Sequence, residues 1–155
     1  ITARTFDICR QIAETGINLT DVAASIYTNG SLGHLKLSGR VLDRIQIEYN
    51  GKIAVLVVND KILAETGCDP DDMEGIVNLP LASRHILVVI LARETNGSLR
   101  VSLRSKKRID VRSVALSFGG GGHLNAAGLT IENPTQNTLD ELISRTAASI
   151  SDTDK

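Results

Sequence analysis

Aromatic residues are scarce. Phe6, Tyr27, Tyr49 and Phe118 are the whole set, and there is no Trp. So few rings exclude a broad platform on which nucleic-acid bases could stack. Cysteine is scarce too: Cys9 and Cys68 lie far apart and form no CxxC, which supports neither a disulfide framework nor a zinc finger. Free thiols buried in a reducing compartment are the plainer reading. The longest apolar run extends only from Ile86 to Ala92, far short of the roughly 20 residues a membrane-spanning helix needs. No basic stretch precedes a hydrophobic one at the start, so no signal peptide is read, no membrane is expected as a partner, and a cytoplasmic location is. Neither charge sign is in excess: Lys+Arg 17 against Asp+Glu 18 gives a net charge of −1. The chain is therefore no general polycation for coating nucleic acid, and any anion binding must come from a local cluster.

What is present suits one folded domain. The 155 residues are 42% hydrophobic and 23% charged, ordinary for a globular protein. The chain begins at Ile1 rather than Met, inside a helix-like segment, and is expected to be a piece of something longer. Residues 5–28 read as two short helices, the first with Ile8, Cys9, Ile12 and Ala13 on one stripe and Gly16 as its stop. Asn18 or Thr20 caps the second, and Asn29-Gly30 breaks the chain. Leu32, Leu35, Gly39 and Leu42 then fall at helical spacing. Ile45–Tyr49, the turn Asn50-Gly51 and the apolar run Ile53–Val58 predict a β-hairpin. Asp69-Pro70 predicts a helix to about Leu79. His85–Arg93 reads as a buried strand. After the Asn96-Gly97 turn, Leu99, Val101 and Leu103 alternate with Arg100, Ser102 and Arg104, the pattern of a half-buried strand. Val111–Phe118 reads as a short helix, Gly128–Ile131 as a short strand, and Thr138-x-x-Glu141 as a capping box opening a last helix. The sum is an α/β domain with about five strands in a mixed, mostly antiparallel sheet.

The most unusual feature is four consecutive glycines, Gly119, Gly120, Gly121 and Gly122, followed by His123. Glycine is entropically costly to order, and a run of it makes sense where backbone amides must converge on an anion. The stretch Leu124–Ala127 is helix-competent, and its first amides would add positive potential. No Lys-Ser/Thr follows, which excludes a P-loop, and Leu124 stands where a Rossmann fingerprint needs glycine. Valine at Gly120 or Gly121 is expected to abolish nucleotide binding at modest cost in stability. His123 can donate to a phosphoryl oxygen or stabilise charge developing on it. The cluster Arg104-Ser105-Lys106-Lys107-Arg108 ends a strand, so Arg104 could aim its guanidinium fork at a phosphate while its neighbours supply field. His34 and His85 stand far from the glycine run. No paired carboxylates, metal-ligand spacing or Ser/His/Asp arrangement is found.

Three segments in order carry a resemblance: Ser102–Ser105, then Ile109-Asp110-Val111, then Phe118 through the glycines and His123 to Ala126-Ala127-Gly128. With Asp72–Asn78 and Thr2–Thr5, they make the chain resemble the C-terminal, DHH-associated domain of the DHH phosphoesterase superfamily. The likeness is to the nanoRNA/oligoribonuclease and 3′-phosphoadenosine-5′-phosphate phosphatase branch. The resemblance implies a helical connector at 1–30, a substrate-binding domain at 31–150 and a frayed tail at 151–155. It implies metal-dependent phosphoester hydrolysis in the parent, with manganese held by an N-terminal catalytic half that carries the Asp-His-His absent here. By the same resemblance Arg104 and Ser105 hold substrate phosphate and Gly119 to Gly122 cradle it. His123 reaches the scissile phosphate, and Asn125 lies in the same loop. The partners implied are a short single-stranded oligonucleotide or a nucleotide phosphate, and the parent's catalytic half. The exposed stripes of the first helices allow a homodimer. The domain also resembles the C-terminal module of alanyl-tRNA synthetases, a nucleic-acid binder without chemistry of its own. A nucleotide-sensing module is a third reading.

Overall fold

The computed structural model describes residues 2–28 and 30–151. The chain divides into two units between Ser31 and Leu32. The first holds α1 (Ala3–Glu14) and α2 (Leu19–Tyr27), with no buried residue in either. The Thr2 side chain caps α1, Gly16 follows it at φ 81°, and Asn18 caps α2 by accepting from the Thr20 amide at 3.0 Å. Phe6, Ile12, Ile26 and Tyr27 stay exposed. Asn29, one half of the Asn29-Gly30 break, and the tail beyond Ser151 lie outside the described residues.

The second unit is built on one sheet. In chain order its elements are α3 (Leu32–Asp43), β1 (Gln46–Glu48), β2 (Ile53–Val58), α4 (Asp60–Thr66), β3 (Val88–Thr95), β4 (Ser98–Ser105), α5 (Val111–Leu116), β5 (Gly121–His123), β6 (Ala126–Glu132) and α6 (Thr138–Ser151). The strand order is β1-β2-β3-β4-β6-β5, and every pair is antiparallel except β2 with β3. That single parallel pair requires a crossover, which α4 and two short 3-10 helices, Pro70–Asp72 and Ile76–Ala82, supply.

Several expectations are corrected. Among the described residues the sheet has six strands against the about five expected, because Gly121 and Gly122 enter it as β5. The helix expected from Pro70 to Leu79 is broken into the two 3-10 pieces: Gly75 sits at φ 88°, and Pro80 lies inside the second. The helix at 111–118 ends at Leu116, and β3 begins at Val88, which leaves His85 in the preceding loop. The capping box at α6 does not form. Thr138 is the first helical residue, its hydroxyl accepts from the Thr135 amide at 2.8 Å, and Glu141 pairs with Arg145 at 2.8 Å. α6 runs through Ser151.

Alternation along the strands sends apolar side chains to both faces of β2 and β3. On one face Val55, Ile90, Val101, Leu103 and Leu129 pack under α5 and α6, with Val111, Val114, Leu142 and Ile150. On the other, Leu56, Val89 and Leu91 pack under α3, α4 and the 3-10 segment, with Leu37, Val41, Ile62 and Ile76. This second layer takes residues from β2 and β3 and none from β4, β5 or β6. Within this unit the buried layer on that face ends at β3, and over β4 the 3-10 segment Ile76–Ala82 approaches the sheet.

Candidate functional site

The part of that face beyond β3 is where the motif residues of β4, β5 and β6 meet. Residues opposite each other in an antiparallel ladder point to the same side of the sheet. The register pairs Arg104 with Ala126, and Ala126 with His123. Arg104 and His123 therefore share one row and one face, two strand spacings or about 10 Å apart at the backbone. The next row joins Ser102, Gly128 and Gly121, which are small and leave a shallow floor. The row beyond joins Arg93, Arg100 and Thr130. Two depressions follow these rows. One of about 370 Å³ is lined by Arg93, Arg100, Ser102 and Arg104 on the sheet side and by Met73 and Gly75 opposite. The other, of about 500 Å³, lies over Arg100, Ser102, Gly119, Gly120 and Gly128.

The four glycines turn out to do different work. Asp110 opens α5 by accepting from the amides of Arg112 and Ser113 at 2.9 and 3.1 Å. Gly119, at φ 77°, closes the helix: its amide donates to Leu116 and that of Gly120 donates to Ala115. Those two amides are occupied within the chain, so a cradle of all four does not exist. At Gly120 a Cβ would lie 2.3 Å from the Gly128 carbonyl oxygen, and at Gly122 2.5 Å from that of Ala126. Both are glycine so that β5 and its approach can press against β6. Gly121 has open space where its Cβ would stand. Among the described residues no packing contact requires glycine there. As the edge strand, β5 also turns alternate amides away from β6. The helix expected at Leu124–Ala127 is absent: Leu124 and Asn125 form the β5–β6 turn, so no helix dipole aids the site.

Ser105 and Asn125 are scaffold rather than surface. Period-2 alternation puts Ser105 on the face opposite Arg104, where it is buried. Its hydroxyl donates to the Ile109 carbonyl at 2.7 Å and accepts from the Asn125 amide nitrogen at 2.8 Å. Asn125 also donates to the Lys107 carbonyl at 3.1 Å. Together they fasten the β5–β6 turn to the turn after β4. Arg104 is half-buried, and its Nη1 donates to the Leu103 carbonyl at 3.0 Å. His123 is exposed. Lys106 donates to the Ser83 carbonyl at 2.7 Å, whereas Lys107 and Arg108 lie exposed at the turn. Arg93 escaped the sequence reading. Counting outward from the Asn96-Gly97 turn pairs Thr95 with Ser98 and hence Arg93 with Arg100, so the signal was there. Among the described residues no three His, Cys, Asp or Glu side chains gather where they could hold a metal ion. Manganese does not fit this residue set.

A family model described as the DHHA1 domain matches residues 50–152. The bifunctional oligoribonuclease and PAP phosphatase NrnA of Thermus thermophilus is 29% identical over 99 residues, which is 64% of this chain and 29% of that protein. Its namesake from Mycoplasma genitalium is 28% identical over 106 residues, 68% of this chain and 32% of that one. The chain thus spans about a third of the length of the curated relatives it matches. Among solved structures, an exopolyphosphatase-related protein from Bacteroides fragilis superposes with a TM-score of 0.87 at 24% identity. That match covers 98% of this chain and 45% of the other, and shows a shared fold. With its family model spanning β2 to α6, and its motifs gathered on one open half-sheet, this chain belongs to the DHHA1 domain family.

Proposed function

We propose that this domain is the substrate-binding half of a metal-dependent phosphoesterase acting on short oligonucleotides or 3′-phosphorylated nucleotides. The substrate phosphate sits over the open half-sheet, held by the Arg104 fork and the floor at Gly121 and Gly128. His123 stands at the far side of the same row, exposed and placed to donate to a phosphoryl oxygen. The carrying observation is the register that sets Arg104 and His123 on one face across a row lacking large side chains. The kinship with NrnA proteins supports the substrate class. The metal-assisted step belongs to a catalytic half with its own ligands, and this domain contributes binding and orientation.

Titration with a nucleoside monophosphate tests the reading. A charge-assisted fork contributes about 1.5–3 kcal/mol, so Arg104→Ala should weaken binding about tenfold or more. Lys107→Ala, at an exposed turn, should chiefly lower the salt dependence. Equal small effects from both substitutions would make the basic segment a solvated turn and remove Arg104 from the site.

A further inference from the structure

We propose that His34 is a positioning residue: it holds the segment 70–75 back from the arginine-lined cleft and keeps the carboxylates of Asp71 and Glu74 off Arg93 and Arg100. The proposal rests on the reading above, in which that cleft receives phosphate through Arg104.

The motif at 72–78 has a place in the fold but no chemistry of its own. With Asp71 before it, it builds the wall of the cleft that stands across from Arg93, Arg100 and Arg104. Guanidinium groups on one side and carboxylates on the other attract, and a charge-assisted bond between them is strong. Arg93 has a further reason to take such a partner, because its Nε is buried without an acceptor, which is costly for a charged group. Yet the bonds do not form. Asp71 and Glu74 are exposed, and no ion pair joins either of them to an arginine among the described residues. The wall is held away from the sheet.

The restraint comes from α3. Segment 70–75 runs between two glycines in the left-handed region, Gly67 at φ 65° and Gly75 at φ 88°. Beyond Gly75, Ile76 and Val77 are buried against the sheet and fix the far end. Terminal residues of this kind absorb the backbone rotation when a segment moves. Between them His34, in the first turn of α3, reaches the Asp72 carbonyl with Nδ1 at 2.6 Å. A carbonyl can only accept, so Nδ1 carries the proton and donates. Gly33 makes the reach possible: a Cβ there would lie 2.4 Å from the Gly67 carbonyl oxygen, so glycine lets α3 press against the start of the segment. Without the His34 donor, 70–75 is free to turn toward the sheet. Asp71 and Glu74 then act as internal anions that compete with phosphate for the same arginines. His34 thus acts on the ligand through the wall and does not touch it.

The experiment measures the affinity of the whole chain for a nucleoside 5′-monophosphate, with thermal midpoints and the NMR signal of the Arg93 Nε–H in parallel. His34→Leu keeps side-chain bulk and removes the donor, and should weaken binding about tenfold. In a chain that also carries Asp71→Asn and Glu74→Gln, the same substitution should weaken binding threefold or less. Comparing the two backgrounds cancels the direct effect of neutralising the carboxylates. His34→Asn, whose amide nitrogen can stand near the place of Nδ1, should bind within threefold of the unsubstituted chain. The Arg93 Nε–H signal should move downfield in His34→Leu, as it gains a carboxylate, and return when the carboxylates are neutralised. A purely structural role would lower the thermal midpoint and give none of this dependence on Asp71 and Glu74. Unchanged affinity in folded His34→Leu overturns the proposal, as does an equal loss in both backgrounds or an unmoved Arg93 signal. A loss in His34→Asn as large as in His34→Leu removes the donor from the account and overturns it too. His34→Ala takes the place of a leucine variant that does not fold; if neither folds, the bond serves the fold and the proposal falls. An unsubstituted chain that binds no monophosphate ends the first-site reading, and the Arg93 signal then decides the movement of the wall by itself.

Discussion

Gly120 and Gly121 are neighbours, yet a side chain would meet different surroundings at each. Valine at Gly120 would drive its Cβ into the Gly128 carbonyl and Leu129, so Gly120→Val should cost about 2–4 kcal/mol of stability. Valine at Gly121 meets open space in a strand, where β-branched residues are favoured, and should leave the thermal midpoint nearly unchanged. It should nonetheless abolish phosphate binding, because it fills the floor of the site. Thermal melts and ligand titrations on both variants check this, and a stable Gly121→Val protein that binds normally would remove the floor from the account. The sequence marks all four glycines as unusual and cannot divide them. That division depends on which of them β6 faces, and β5 is too short to announce itself. Ser105 shows the same limit in reverse: it sits beside Arg104 in a motif, but alternation along β4 had already assigned it to the other face. The thiols give a further residue-scale prediction. Cys9 is exposed, whereas Cys68 is buried, and burial, with Asp72 and Asp69 adding, holds its pKa above the ordinary thiol value. At pH 8 iodoacetamide should therefore modify Cys9 well before Cys68, and mass spectrometry of the peptides reads the order. Equal rates would show that the α4 end opens freely in solution.

At the scale of elements, α5 sets the approach of the glycine strand to the sheet. It is six residues long, too short to persist on propensity, and is fixed by its two ends and its buried face. Asp110 supplies the N-cap, Gly119 the C-terminal turn, and Val111, Val114 and Ala115 the packing. Asp110→Ala should cost about 1 kcal/mol, read as a lowered thermal midpoint, with a parallel loosening of phosphate binding as β5 loses its anchor. An unchanged midpoint would mean that packing alone holds α5. Elements with strong local signals were legible: the two Asn-Gly turns, the alternation of β4, and the Asn18 cap. Those that failed share a cause. α4 is only seven residues and follows β2 at once, so its Asn59 cap, which accepts from the Ile62 amide at 3.0 Å, was hidden between apolar runs. The 70–82 stretch has helical spacing, but Gly75 in the left-handed region and Pro80 divide it into 3-10 turns that lay Ile76 and Val77 on the sheet. Tertiary packing decided there against local pattern.

For the sheet unit, the central feature is a buried helical layer that extends over β4 and β6 on one face and ends at β3 on the other. Composition and alternation foretold the α/β class and the polar face of β4. They could not foretell that the second helical layer stops at β3, because that depends on the crossover between β2 and β3. The part of the sheet beyond β3 holds no metal-ligand cluster among the described residues. The chain incubated with manganese and a dinucleotide should therefore leave the substrate intact by chromatography. Turnover lost on His123→Ala would place chemistry in this domain and overturn the division of labour. The most direct test of the central claim is a titration of the isotope-labelled chain with a nucleoside monophosphate, followed by backbone amide NMR. The account predicts that the largest shifts fall on Ser102, Arg104, Gly121, His123 and Gly128, spanning three strands of the open half-face. A rival site is the larger cavity of about 650 Å³ at the opposite end of the strands, lined by Val57, Lys61, Thr95 and Leu139. Shifts centred there, with the open half-face silent, would contradict it.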